Sequence, residues 1–122
     1  MCQVWYQEVM PWYYNPQSGG IKIPPTLYDK IRKQAHAYET TRPWHPGSSL
    51  RLRFKSQFCY LDAVREGEDP FPLGRLRYFS DDRWSLAYYT YSHERYEPCI
   101  LDNGEWCGSL EQTIAACEMY LA

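Results

Sequence analysis

The chain is poor in the features that most readily announce chemistry. No stretch of its 122 residues approaches the run of about eighteen apolar positions that marks a membrane helix. No basic region followed by an apolar run opens it, so a secretory signal is not expected. It contains no CxxC, HxxxH or CxH spacing. Structural zinc sites use such close pairs because two ligands on one turn set the tetrahedral angle. No metal and no cofactor are therefore expected. Neither GxGxxG nor GxxxxGK[ST] occurs, which removes the common phosphate loops. The lysines are Lys22, Lys30, Lys33 and Lys55, preceded two positions earlier by Gly20, Tyr28, Ile31 and Arg53. None of those is acidic, so the acid-x-Lys arrangement of metal-dependent nucleases is missing. Nor is there an excess of positive charge, since the formal net charge is −2. Nucleic acid held by bulk charge alone usually needs a basic chain. With no catalytic motif present, a non-enzyme is expected.

What the chain does have is aromatic residues: twelve Tyr, five Trp and four Phe. Their apolar bodies and polar tips suit half-buried sheets and binding faces. An apolar fraction of 44% is enough for a real core in a chain of this length. Five cysteines fall at positions 2, 59, 99, 107 and 117. An odd, scattered set with no signal segment reads as free thiols in a reducing, cytoplasmic setting.

The pattern along the chain divides it into an aromatic segment with a Gly/Ser joint, residues 1–20, and a single α+β domain, residues 21–122. The first part crowds Trp5, Tyr6, Trp12, Tyr13 and Tyr14 into a segment broken by Pro11 and Pro16. In the second, Thr26 and Asp29 read as a capping pair for a helix over 26–40, with Leu27, Ile31, Ala35 and Tyr38 as its apolar stripe. The period then changes. Leu50, Leu52 and Phe54 alternate with Arg51, Arg53 and Lys55, which predicts a strand with cations on its wet face. Further strands are expected over 58–64, 73–79, 84–91 and 96–101, separated by short polar turns. Asn103-Gly104 is a tight-turn signal. Ser109 and Gln112 form a capping box for a closing helix whose stripe is Leu110, Ile114, Cys117 and Leu121. The expected fold is α+β: an N-terminal helix, an antiparallel meander of about five strands and a C-terminal helix, with both helices packed on one sheet face.

The strings RLRFKSQFCYLD and PLGRLRYFSDDRWSLAYYTYSHERYEPCILDNGEW resemble a small family of uncharacterised bacterial proteins, over roughly residues 21 to 121. The resemblance implies a compact cytoplasmic bacterial protein with the helix, meander, helix order. It implies no activity.

Candidate chemistry is sparse. Cys59 sits between Phe58 and Tyr60 in an expected strand and reads as a buried, inert thiol. His93, Glu94 and Arg95 could in principle serve a metal-independent ribonuclease, with an acid/base pair and a cation for developing charge. Consecutive strand residues alternate faces, however, so a polar corner is the simpler reading. The better candidate is a surface. Arg51, Arg53 and Lys55 on one strand and Arg75 and Arg77 on another are expected to form one cationic stripe, with Tyr89 and Tyr91 beside them. Cations interleaved with rings hold phosphates and stack bases. The plain alternative is a solvated face whose cations pair with carboxylates such as Asp62 or Glu66. The expected function is a non-catalytic interaction protein. It would dock a protein partner, or self-associate, through this face and the segment carrying Trp5 and Trp12. A nucleic-acid-binding module on the same face is the alternative, and no membrane contact is expected.

Overall fold

A computed structural model describes residues 18–121 of the chain. A 3₁₀ turn, Pro25–Leu27, leads into α1, Tyr28–Glu39. Five long strands follow: β1 Ser48–Lys55, β2 Phe58–Arg65, β3 Phe71–Ser80, β4 Arg83–Thr90 and β5 Arg95–Cys99. A two-residue strand, β6 Cys107–Gly108, precedes α2, Leu110–Ala116, and a last 3₁₀ turn, Glu118–Tyr120, ends the described chain. The strands pair antiparallel in the order β1-β2-β3-β4-β5, with β6 added beside β4. The fold is α+β, an antiparallel sheet with two helices.

The helix starts show what propensity alone could and could not place. Ser109 caps α2 as expected. Its side chain accepts from the Gln112 N–H, and the Gln112 side chain reaches back to the Ser109 N–H. That reciprocal pair satisfies two donors the helix itself leaves open. The Thr26 cap does not form. Pro25 begins a 3₁₀ turn, and the N-cap position falls on Leu27, which has no capping side chain. The hairpin turns use left-handed backbone at Ser56, Asp82 and Glu94. Asp82 also ties three parts together, accepting from Gln34 of α1 and from the Leu110 N–H that opens α2, each at 3.0 Å.

Register assigns every strand residue to a face. Leu52 stands opposite Leu61, Leu61 opposite Gly74, Leu76 opposite Leu86 and Tyr78 opposite Trp84. These positions join Ile31 and Ala35 of α1 and Leu110 and Ile114 of α2 in one buried cluster. We call this the core face and the opposite parity the outer face. Glu118 fastens the helical layer. Its carboxylate accepts from the Tyr38 hydroxyl at 2.6 Å, the Trp44 indole at 3.1 Å and the Arg42 guanidinium at 3.0 Å. At the start of the sheet, Glu39, buried at the end of α1, accepts from the backbone N–H of Leu50 in β1.

Cysteine chemistry departs from expectation at one place. Cys59, Cys99 and Cys117 are free thiols, whereas Cys107 is disulfide-bonded. Odd counts and irregular spacing gave no means of telling which cysteine pairs.

Candidate functional site

Three rows of side chains cross the outer face. The first runs Lys55, Phe58, Arg77, Ser85, Cys107. The second runs Arg53, Tyr60, Arg75, Ala87, Pro98. The third holds Arg51, Asp62 and Pro72, with Tyr89 opposite Tyr96 beyond. The five cations singled out in the sequence thus share one face. Hairpin connections place consecutive strands side by side, and strict alternation carries the parity from strand to strand.

Aromatic rings hold the cations. The Arg75 guanidinium lies 4.6 Å from the Phe58 ring centre and 5.3 Å from that of Tyr96. Arg77 lies 4.8 Å from Phe58, and Arg53 lies 5.1 Å from Tyr60. Such stacking leaves the charge in place while covering the flat, weakly hydrated side of the guanidinium. The rings also meet each other edge to face, Tyr60 on Tyr96, Tyr96 on Tyr89 and Tyr89 on Tyr91. Tyr91 follows the last residue of β4 and donates its hydroxyl to the Pro72 carbonyl at 2.8 Å. That contact keeps it with Tyr89.

Asp62 is the sole carboxylate among these register positions. Arg51 and Arg53 both bond it, at 2.8 and 2.6 Å. Burial pushes the Asp62 carboxyl up, but the hydrogen bonds from Arg53 and Arg51 outweigh it and hold the group below its ordinary value. The Arg53 guanidinium is correspondingly raised by its bond to Asp62. Two arginines sharing one carboxylate leave a net positive end to the face. The expectation that these cations pair with carboxylates is met at Asp62 for Arg51 and Arg53.

Phe58, Tyr60 and Tyr96 escaped the sequence reading. Continuing the β1 alternation through the two-residue turn would have placed Phe58, Tyr60 and Asp62 beside the cations. Trp5 and Trp12 lie outside the described residues.

The other candidates resolve into structural roles. Cys59 is fully buried, and burial raises its thiol to about 12 despite nearby Arg32 and Arg53. A thiol held protonated in this way is a poor nucleophile. His93 and Arg95 do converge, but on Glu97 rather than Glu94, at 2.8 and 3.1 Å. Glu94 occupies the left-handed turn position. A cavity of about 280 Å³ between α1 and β1 is lined by Arg32, His36, Glu39 and Leu52 among others. Glu39 there already accepts the Leu50 N–H and the near nitrogen of His36 at 3.4 Å. Among the described residues no group of His, Cys, Asp or Glu is arranged to hold a metal ion, and no helix is long and apolar enough to cross a membrane.

Comparison with family models, with curated proteins and with solved structures finds no match to this chain.

Proposed function

We propose that the protein is a non-catalytic interaction module that docks an acidic protein partner on the outer sheet face, with the aromatic segment 1–20 contributing beside it. The reading takes both helices to cover the core face and the opposite face to meet the partner. One observation carries it: Arg51, Arg53, Lys55, Arg75 and Arg77 stand on one face, interleaved with Phe58, Tyr60, Tyr89 and Tyr96. Arginine and tyrosine are the side chains most enriched where proteins bind one another. They offer large rigid area with a charge that selects the partner's sign.

The test is recovery of a partner from the native host by the tagged full chain, over a series of salt concentrations. The expected result is a defined partner that is released as salt rises. It should also be lost from an Arg53→Ala/Tyr91→Ala variant whose circular dichroism and melting temperature match the parent. Undiminished recovery by the folded double variant rejects the reading.

The ring-lined arginines favour a second reading, binding of single-stranded nucleic acid by stacking and phosphate contact. Phosphate contacts make affinity fall steeply with salt. An oligonucleotide titration showing no binding at low salt removes it.

A further inference from the structure

The geometry points to a short slot along the far side of β1 that takes an extended, acidic peptide of a partner as an added strand. The inference rests on the docking reading for the partner's charge, and it adds how that partner is held.

β1 turns alternate backbone groups toward β2 and away from it. Opposite residues of an antiparallel pair alternate between exchanging both bonds and exchanging neither. Ser48, Leu50, Leu52 and Phe54 form the outward set. The Ser48 N–H donates to the Trp44 carbonyl at 2.8 Å, and the Leu50 N–H donates to the Glu39 carboxylate at 3.2 Å. Past Leu50 the capping stops. Among the described residues nothing accepts from the outward N–H of Leu52 or Phe54. The other end is closed again, since the Ser56 carbonyl accepts from the Ile23 N–H at 3.0 Å. What stays open is the stretch from Leu50 to Lys55, about 20 Å at the ordinary strand rise.

The slot has two sides of different chemistry. On the core side α1 stands over β1, with the Tyr28 ring stacked 4.2 Å from that of Phe54. The cavity of about 280 Å³ between α1 and β1 lies there, and Ala35, Leu50 and Leu52 give it apolar lining. Side chains of an added strand point the same way as the residues they face. Those opposite Leu50 and Leu52 enter the cavity. Those opposite Arg51, Arg53 and Lys55 stand on the outer face.

Charge selects the occupant. Arg51 and Arg53 share Asp62 and keep about half their side-chain surface. Arg32, another lining residue of the cavity, lies 4.8 Å from the Phe54 ring centre. Neither Arg32 nor Lys55 has an ion pair among the described residues. Carboxylates opposite these cations are favourable across a strand pair, and lysines there repel. The complement of β1, apolar alternating with basic, is therefore apolar alternating with acidic. In such binding the main-chain bonds supply affinity and the alternate side chains supply the choice of partner.

The experiment uses the full chain, isotope-labelled for NMR, and a blocked peptide of about six residues in which glutamate alternates with valine, a length that fills the slot. Amide exchange is read without peptide and at its highest soluble concentration. The Leu52 and Phe54 amides should exchange at least fivefold more slowly with peptide present, because each gains a carbonyl partner. The Ser48 and Leu50 amides, already bonded, should change less than twofold. Two altered peptides separate the contributions without touching the protein's fold. N-methylation of the valines removes the donors that face β1 and keeps every side chain, and it should weaken binding at least tenfold. A peptide with lysine in place of glutamate should also bind at least tenfold more weakly. Unchanged exchange at Leu52 and Phe54 overturns the slot. Equal binding of the N-methylated peptide overturns strand addition and leaves the docking reading intact, since side-chain contact then suffices. Equal binding of the lysine peptide overturns the acidic assignment. Partner recovery by Arg53→Ala/Tyr91→Ala is a separate readout, so failure of the docking reading is told apart from failure of the slot.

Discussion

On the core face, Leu61, Leu76, Trp84 and Leu86 are at most 2% exposed and share a cluster with the helices. On the outer face, at the alternate positions of the sheet, Arg53, Arg75 and Arg77 lie over the rings of Tyr60, Phe58 and Tyr96. The first surface is set by volume, because close-packed interiors tolerate neither voids nor overlap. The second is set by stacking and by one carboxylate shared between two guanidinium groups, forces that survive partial exposure. A sheet built so differently on its two sides should answer substitution differently on each, and four measurements probe that difference.

The largest effect is expected at Trp84, which is 1% exposed and packs 5.0 Å from the Tyr78 ring. Trp84→Ala should lower unfolding free energy by about 3–5 kcal/mol, the range for emptying a large core site. Urea titration reads it, and a loss below about 1 kcal/mol would show that the core face is not packed as described. Next is Gly74→Ala. Its new methyl would meet Leu86 Cδ1 at 2.8 Å and the Ala87 carbonyl at 3.1 Å. Overpacking of this kind should cost about 1–3 kcal/mol, and a stabilised variant would contradict the contact.

Third is Asp62→Asn on the outer face, expected to cost about 1–2 kcal/mol near neutral pH, because charge-assisted bonds to half-exposed arginines are weakened by solvent. The pH dependence carries the sign. Asp62 has its carboxyl lowered in the folded protein, so its contribution is present above the ordinary carboxylate value of about 4. It is lost as pH falls through the lower folded value. The gap between parent and Asn variant should therefore shrink in acid, and a gap that is constant down to pH 2 would remove the assigned role. The smallest change is expected for Tyr91→Phe, which deletes one bond to the Pro72 carbonyl from a side chain 52% exposed. Surface changes of this kind stay within about 0.5 kcal/mol, and a thermal melt that moves by no more than a degree or two is the outcome sought.

Much of the arrangement was legible in the residues. Strict alternation at Leu50–Lys55 fixed the parity of β1, and short polar turns made neighbours of consecutive strands, so Arg75 and Arg77 could be placed with Arg51 and Arg53. The Ser109/Gln112 box was readable because both partners lie within one turn. What could not be read depends on contacts distant in sequence. The slip between Leu61 and Asp62 moves one row against the next, and nothing local announces it. Thr26 has the right chemistry for a cap, but Pro25 diverts the chain into a 3₁₀ turn first. Glu97, rather than its neighbour Glu94, receives His93 and Arg95 because the left-handed turn at Glu94 reverses the chain. The pairing of Cys107 has no signature in spacing at all.

Glu39 has a consequence for how copies of the chain can associate. Among the described residues β1 opens the strand order, and no described strand pairs with its far side, a row of backbone groups of the kind that recruits another strand. The carboxylate of Glu39 occupies the Leu50 N–H there, and Arg51, Arg53 and Lys55 load the same strand with like charge. Sheet borders guarded by a capped donor and by repelling side chains resist edge-to-edge addition. Growth of fibrils by zippering along β1 is thereby discouraged, despite the high tyrosine and tryptophan content.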